Sequence, residues 1–383
     1  MLGSQFTFTF GCMKPPVMQR LVERVEKGEL DREEAIRRIP TGAIQQVLGP
    51  DLYRTLMSWA TGSSRLSIRT AVDRPGEGSR ALTLGTEGIG LCRTESLFLG
   101  QGRVERMREM IRGADPKARE RALSKLLPAL RAEFVALLRA AGSRPVTLSL
   151  LALPLSAFLP GSETEGQAVW PTGVQPEPAQ AQQGSRIGIV YPELTAMQTR
   201  AILEAAFEIF RRDGILPRIE ILIPPVRELR DLRAMTRVIR TIRAEVEKEQ
   251  GLCIPCPVGV QLSLERAAQS ADLFAAEIDF LSIAADGPHR EGQGALLARA
   301  VRRLGKVSRP ASVRLLAGQQ DPTNLVRLCH ALGIECFSCP PAQVPVARWA
   351  AAQAALEASD EPSSFARKRD SRGNKSSRPR WMA

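Results

Sequence analysis

Eight short apolar runs recur along this chain, each separated from the next by an amphipathic helical stretch. They lie at 66–72 (LSIRTAV), 88–93 (GIGLCR), 146–151 (VTLSLL), 219–226 (IEILIPPV), 257–264, 280–286 (FLSIAAD), 312–317 and 334–339 (IECFSC). Apolar runs of this length read as strands buried on both faces, the pattern of parallel sheets. Helical spacing fills the gaps at 117–141, 193–213, 227–250, 265–277, 291–304, 322–332 and 345–358. Eight strands alternating with helices predict the α/β class and a (β/α)8 TIM-type barrel. A doubly wound open sheet is the alternative, weakened because no Gly-x-Gly-x-x-Gly opens a helix after the first strand.

Ahead of the barrel, Leu21, Val22 and Val25, then Ala35, Ile36 and Ile39, follow helical spacing, with Gly28 as a break between them. Asp31 and Glu34 have the spacing of a capping box, and a further helix is expected over 50–60. The expected organisation is an irregular 1–17, a small helical segment at 18–62, the barrel at 63–358 and a basic tail at 359–383. Inside the barrel, 161–184 is rich in Gly, Pro, Gln and Glu without apolar period, and reads as a long loop leaving the third strand. It is either a disordered insertion or a cover for the pocket, with Trp170 as its single aromatic anchor.

Charge is unevenly spread. The chain carries +12, and half of that sits between Arg367 and Ala383, where seven basic residues face one acid, Asp370. Almost without aliphatics, this tail is expected to be disordered and solvated, and nucleic acid is an expected partner only through it. No apolar run approaches the length of a membrane span, and the start MLGSQFTFTFGCMKPP has no basic and long apolar leader pattern. Seven cysteines, an odd number in a long chain, fit reduced thiols in a cytoplasm. Cys253-x-x-Cys256 and Cys336-x-x-Cys339 raise a zinc reading, but the pairs precede and end strands that are not neighbours in a barrel. Structural thiols are the plainer account, and no metal is expected.

The polar step after the second run, Arg93-Thr94-Glu95, stands where a barrel strand delivers side chains to an active-site mouth, and an arginine there suits phosphate or carboxylate. The surrounding GTEGIGLCRTESLF, together with LVERVEKGELDREEAIRRI, REMIRGADPKARERALSKLLPALRAEF, VTLSLLALPLSAFLP, RIGIVYPELTAMQTRAILEAA and CFSCPPAQVPVARWAAAQAALEAS, resembles the PEP-utilising enzyme family in order along the chain. Within that family the likeness is to the C-terminal PEP/pyruvate-binding barrel of the pyruvate, phosphate dikinases.

What the resemblance implies is specific. The family binds PEP with arginines, holds Mg2+ with carboxylates and protonates the enolate with a cysteine. Arg93 stands at the strand-two arginine, and Ser338-Cys339 keeps the serine and the proton-donating cysteine. The other positions differ: Ser149 replaces an arginine, Ala152 an aspartate, Gln183 an arginine and Ser263 the metal-binding glutamate. Gly287 takes the place of the metal-binding aspartate, with Asp286 one residue earlier. Mg2+ is the cofactor the resemblance implies, and its ligands are missing from this pattern.

The family's nucleotide-binding and phosphohistidine modules also have no counterpart in the chain. Of the two histidines, His289 and His330, neither sits in a Gly/Ser/Thr-rich loop. The expectation is a non-catalytic binding or assembly protein, a homodimer or a heterodimer with an intact paralogue, with weak binding of PEP or a small 2-oxo acid. The alternatives are a PEP/pyruvate half-site fed by a separate phosphohistidine protein, and a nucleic-acid-associated protein acting through the basic tail. Deleting residues from 360 onward is expected to leave the melting temperature nearly unchanged in a thermal scan, and a marked fall would show that the tail contributes to the core.

Overall fold

In the computed structural model of the chain, the described residues are 13–47, 49–61, 64–100, 102–158, 186–285, 292–307 and 311–360. The expected loop at 161–184 and the tail beyond 360 lie outside them. The chain divides into two compact units, Arg65–Arg348 and a unit that joins Met1–Ser64 to Trp349–Ala383.

The larger unit is a closed barrel of eight parallel strands in chain order. They are β1 (Ser67–Val72), β2 (Ile89–Cys92), β3 (Pro145–Ser149), β4 (Arg218–Ile223), β5 (Val258–Ser263), β6 (Phe280–Ala285), β7 (Ser312–Ala317) and β8 (Cys336–Cys339). Each coincides with one of the eight apolar runs. Helices outside and side chains inside bury both faces of most strands, which is why the sequence shows runs rather than alternation.

Closure fixes which residues point inward. Arg69 pairs in register with Ser338, and Thr70 with Cys339. Arg69 reaches across the barrel to Glu220, so Arg69 and Ser338 face the interior, and alternation turns Thr70 and Cys339 toward the helices. Ala71, Leu91, Leu222, Phe280 and Leu316 form an apolar interior cluster. Two residues earlier on β1, β4 and β7 stand Arg69, Glu220 and Arg314, a charged layer nearer the N-terminal end. Glu220 accepts from Arg69 Nη1 at 2.9 Å, from Arg314 Nη2 at 2.9 Å and from Thr147 Oγ1 at 2.6 Å. Burial alone raises the Glu220 carboxyl, but Arg314 and Arg69 together hold it below the ordinary range. The Arg314 guanidinium also stacks 3.6 Å from the centroid of Phe280.

The second unit packs α1 (Pro15–Glu26), α2 (Arg32–Arg38) and α3 (Pro50–Ala60) with the residues from Trp349 onward of the helix Val344–Asp360. Met18, Ile36, Ile39, Leu56 and Trp349 lie in one buried core. The end of α2 leaves carbonyls without intrahelical donors, and two side chains supply them. Trp349 Nε1 donates to Ile39 O at 3.0 Å, while Gln353 Nε2 donates to both Ile36 O and Ile39 O at 2.9 Å.

Several expectations shift in detail. Residues 349–358, expected in the barrel, cluster with the N-terminal helices, and the last helix runs through Ser359 to Asp360. The first helix starts at Pro15 rather than 18, because proline is well suited to a first turn. Asp31 caps α2 by position only: its side chain makes no cap bond, and Glu34 pairs with Arg38 at 2.7 Å instead of folding back. The single helix expected over 117–141 is two, Pro116–Ser124 and Leu127–Ala141, broken ahead of Pro128, which has no N–H to continue the ladder. Asp115 caps the first of these by accepting from Ala118 N at 2.7 Å.

Inside the barrel, Gly259 makes room for Phe280: a Cβ at Gly259 would lie 2.3 Å from the ring. With Arg314 stacked on that ring, the clash has no cheap relief. Gly259→Ala is expected to cost about 1–3 kcal/mol in urea unfolding, and Phe280→Leu in the same chain is expected to recover part of the loss. A neutral single substitution would contradict the close packing of this layer.

Candidate functional site at the C-terminal mouth of the barrel

Side chains that follow the strands gather at the C-terminal end, where β/α barrels carry their chemistry. β1 and β2 are neighbours, and the residue after each meets the other: Arg93 N donates to Val72 O at 3.0 Å, and Arg93 Nη1 donates to Asp73 Oδ1 at 2.9 Å. Both side chains are well exposed, so this ion pair is worth at most about 1 kcal/mol and can be displaced by a competing anion. Asp73 was not singled out from sequence, although its position directly after an apolar strand run is the same signal that marks Arg93.

Glu95 is the second residue that sequence reading left without a role. Its Oε2 is buried without a hydrogen-bond partner. Burial is the largest influence on the carboxyl and raises it above the ordinary glutamate range, against smaller opposing effects from its own N–H, Arg93 and the Ala152 N–H. Ala152, where the resemblance implies an aspartate, thus contributes only a backbone donor.

Thr94 ties the neighbouring strand ends together. Its Oγ1 donates to Ser149 O at 2.8 Å and accepts from Gln198 Nε2 at 3.4 Å, while Gln198 Oε1 accepts from Leu151 N at 3.3 Å. This fastens β2 and β3 to the helix Pro192–Asp213. Ser149, at an arginine position of the resembling family, is buried and spends its hydroxyl on Leu150 O at 3.2 Å. Ser263, where the resemblance implies a metal-binding glutamate, caps the helix Leu264–Ala275 by accepting from Arg266 N at 3.2 Å.

At the end of β8, Ser338 is buried inside the barrel. A Cβ on Gly90 would lie 1.7 Å from Ser338 Oγ, so glycine in the Gly-Ile-Gly run gives that hydroxyl its space. Cys339 is 0% exposed, and burial pushes its thiol well above the ordinary range. Arg93 and Cys339 therefore stand at the same end of the barrel, but the contacts of Arg93 go to Asp73 and Cys339 is sealed. Gln183, Asp286, Gly287 and His289 lie outside the described residues.

The cysteine pairs do not assemble. Cys253 is exposed and donates to Glu247 Oε1 at 2.9 Å, Cys256 is buried, and all six described cysteines are free. Among the described residues no group of three or more His, Cys, Asp and Glu side chains is placed to share a metal ion. No described helix is long and apolar enough to cross a membrane.

Residues 50–286 match the profile of the PEP-utilising enzyme, PEP-binding domain. The chain is 32% identical over 382 residues to the pyruvate, phosphate dikinase of Clostridium symbiosum, covering 87% of this chain and 42% of that protein. It is 32% identical over 370 residues to that of Giardia intestinalis, with 84% and 42% covered. For Rhizobium meliloti the figures are 33% over 362 residues, with 81% and 40% covered. The chain thus spans about two fifths of the length of the curated relatives it matches.

Glu95 gives a pH test of the mouth. Because its folded carboxyl is raised, the folded chain holds more protons than the unfolded one between the ordinary glutamate value and the raised value, and stability falls as pH climbs through that window. Glu95→Gln removes the effect. The variant is expected to melt above the natural chain near pH 7 and level with it at about pH 3, well below the ordinary glutamate value, where Glu95 is protonated in both states. A melting difference that does not change with pH would contradict a raised Glu95 carboxyl.

Proposed function

Since the chain belongs to the PEP-utilising enzyme family through its PEP-binding domain, we propose that it is a non-catalytic member, a barrel kept for binding or assembly rather than for phosphoryl transfer. The observation that carries this reading is the burial of Cys339. A proton donor must lie within hydrogen-bond reach of the carbon it protonates, and this thiol, though held in its protonated form, has no exposed surface.

The rest of the mouth supports it. PEP and the pyruvate enolate carry dense negative charge, which needs guanidinium groups and a divalent ion. Arg93 remains, and it can exchange Asp73 for an anion. Ser149 and Gln183 stand where the resemblance implies two further arginines, and each missing charge-assisted contact removes about 1.5–3 kcal/mol. With two such contacts gone, affinity drops by roughly two to four decades.

The described residues also do not fit magnesium, which takes oxygen ligands that include one or two carboxylates. Ser263 gives its oxygen to a helix N-terminus, Asp73 is paired with Arg93, and burial favours the neutral form of Glu95. What the mouth's own residues do is bind an anion weakly at Arg93 while Thr94 and Gln198 hold the strand ends in place.

The same reading includes a cytoplasmic setting, in keeping with free thiols, and association through the barrel with a second copy or with an intact paralogue. Light scattering on the purified chain reads the association directly. For the catalytic claim, the expected result is no magnesium-dependent interconversion of PEP and pyruvate by the purified chain, with or without phosphate. Ser263→Glu is not expected to restore it, because Ser149 still stands in place of an arginine. Magnesium-dependent PEP turnover that Cys339→Ala abolishes would overturn the proposal and favour a half-site fed by a separate phosphohistidine protein.

A further inference from the structure

The opposite end of the barrel holds a second concavity. It is lined by residues at the N-terminal starts of the strands, among them Ser67, Arg69, Arg218, Ser312, Arg314 and Cys336, and has a volume of ≈ 280 Å³. In a β/α barrel this end ordinarily serves stability, and a plug of matched ion pairs would suffice for that. Only its exposed rim, where Arg218 stands with Glu87 and Glu335, carries further carboxylates, and the buried layer is not matched. Two buried or nearly buried guanidiniums, Arg69 and Arg314, share a single carboxylate, Glu220.

Glu220 has no capacity to spare, since both its oxygens already accept from guanidinium nitrogens and one also accepts from Thr147. Arg69 has donors left over: its Nη1 goes to Glu220, while its Nε is buried with no acceptor. A buried N–H of a charged group without a partner is costly, and a guanidinium edge suits two oxygens of one ligand. Cys336 does not supply the missing negative charge. Burial raises its thiol and keeps it neutral, although Arg69 and Arg314 act in the other direction.

We propose that the N-terminal mouth of the barrel is a binding site for a small oxyanion, a phosphate or carboxylate group held by Arg69 and Arg314 with Arg218 at the rim. The rim also selects. Glu87 and Glu335 are exposed carboxylates beside the same opening, so an extended polyanion is repelled. The site favours a compact anion that carries its own hydroxyl or amino donors. It is independent of the C-terminal mouth, because Arg93, Ser263 and Cys339 take no part in it.

The test is a titration of the full chain, isotopically labelled at the arginine Nε positions and followed by nitrogen-edited NMR. Inorganic phosphate and acetate are added in separate arms, with chloride adjusted to hold ionic strength constant. The expected result is a saturable shift of one slowly exchanging Nε–H, assigned to Arg69 by its loss in Arg69→Lys. Saturation by phosphate alone assigns the phosphate class, and saturation by acetate alone the carboxylate class. Arg218→Glu alters only an exposed side chain and so preserves the fold even if Arg69→Lys does not, and it is expected to weaken binding by about tenfold or more. Arg93→Ala is expected to leave the titration unchanged. The proposal is overturned by no saturable shift in either arm, by equal affinity in Arg218→Glu, or by loss of the shift in Arg93→Ala, which would put the anion at the other mouth.

Discussion

The register that pairs Arg69 with Ser338 and Thr70 with Cys339 decides most of what this barrel can do. A closed parallel sheet has no edge, and each strand has one inner and one outer row of side chains. Once Arg69 reaches Glu220 across the interior, the row containing Ser338 is inside and the row containing Cys339 is outside. The same alternation stacks a charged layer, Arg69, Glu220 and Arg314, beneath an apolar one, Ala71, Leu222 and Leu316. Both ends of the barrel inherit their chemistry from that choice. The C-terminal mouth loses a reachable thiol, and the N-terminal mouth keeps a buried Arg69 Nε without an acceptor.

The strands were legible because burial on both faces leaves an unbroken apolar signature, and all eight runs became strands. Helix boundaries were harder to read. Pro128 divides what helical spacing presents as one long helix, and the helix Arg103–Ile111 is so polar, RVERMREMI, that its three buried positions do not stand out. The capping box at Asp31 failed because Glu34 had a better partner in Arg38 one turn on. In the site, the position of Arg93 followed from the strand end, but its engagement with Asp73 depends on a neighbouring strand that only the fold brings near. The charged layer also leaves a signal in the sequence. Arg69 in LSIRTAV, Glu220 in IEILI and Arg314 in SVRLLA are charges inside strand runs, and a buried strand tolerates a charge only when another answers it.

Family membership and the chemistry of the mouth point in different directions. The barrel, its glycines at close contacts and the strand-end arginine are in place, and Gly90 still opens space for Ser338. Positions that the resemblance assigns to chemistry have taken structural work instead: Ser263 caps a helix, Ser149 bonds to the adjacent carbonyl, and Cys339 packs. On the proposed non-catalytic reading, such replacements trade the charges that an enolate needs for contacts within the scaffold.

Accessibility of Cys339 is the point on which the account turns. Treating the native full chain with iodoacetamide and mapping the modified thiols by mass spectrometry measures it, with exposed Cys253 as the internal positive control. The account predicts that Cys253 is alkylated while Cys339 stays unmodified until the chain is unfolded, and that PEP with magnesium makes no difference to either. Rapid alkylation of Cys339 in the folded chain, slowed by PEP and magnesium, would contradict it and return the thiol to a working mouth.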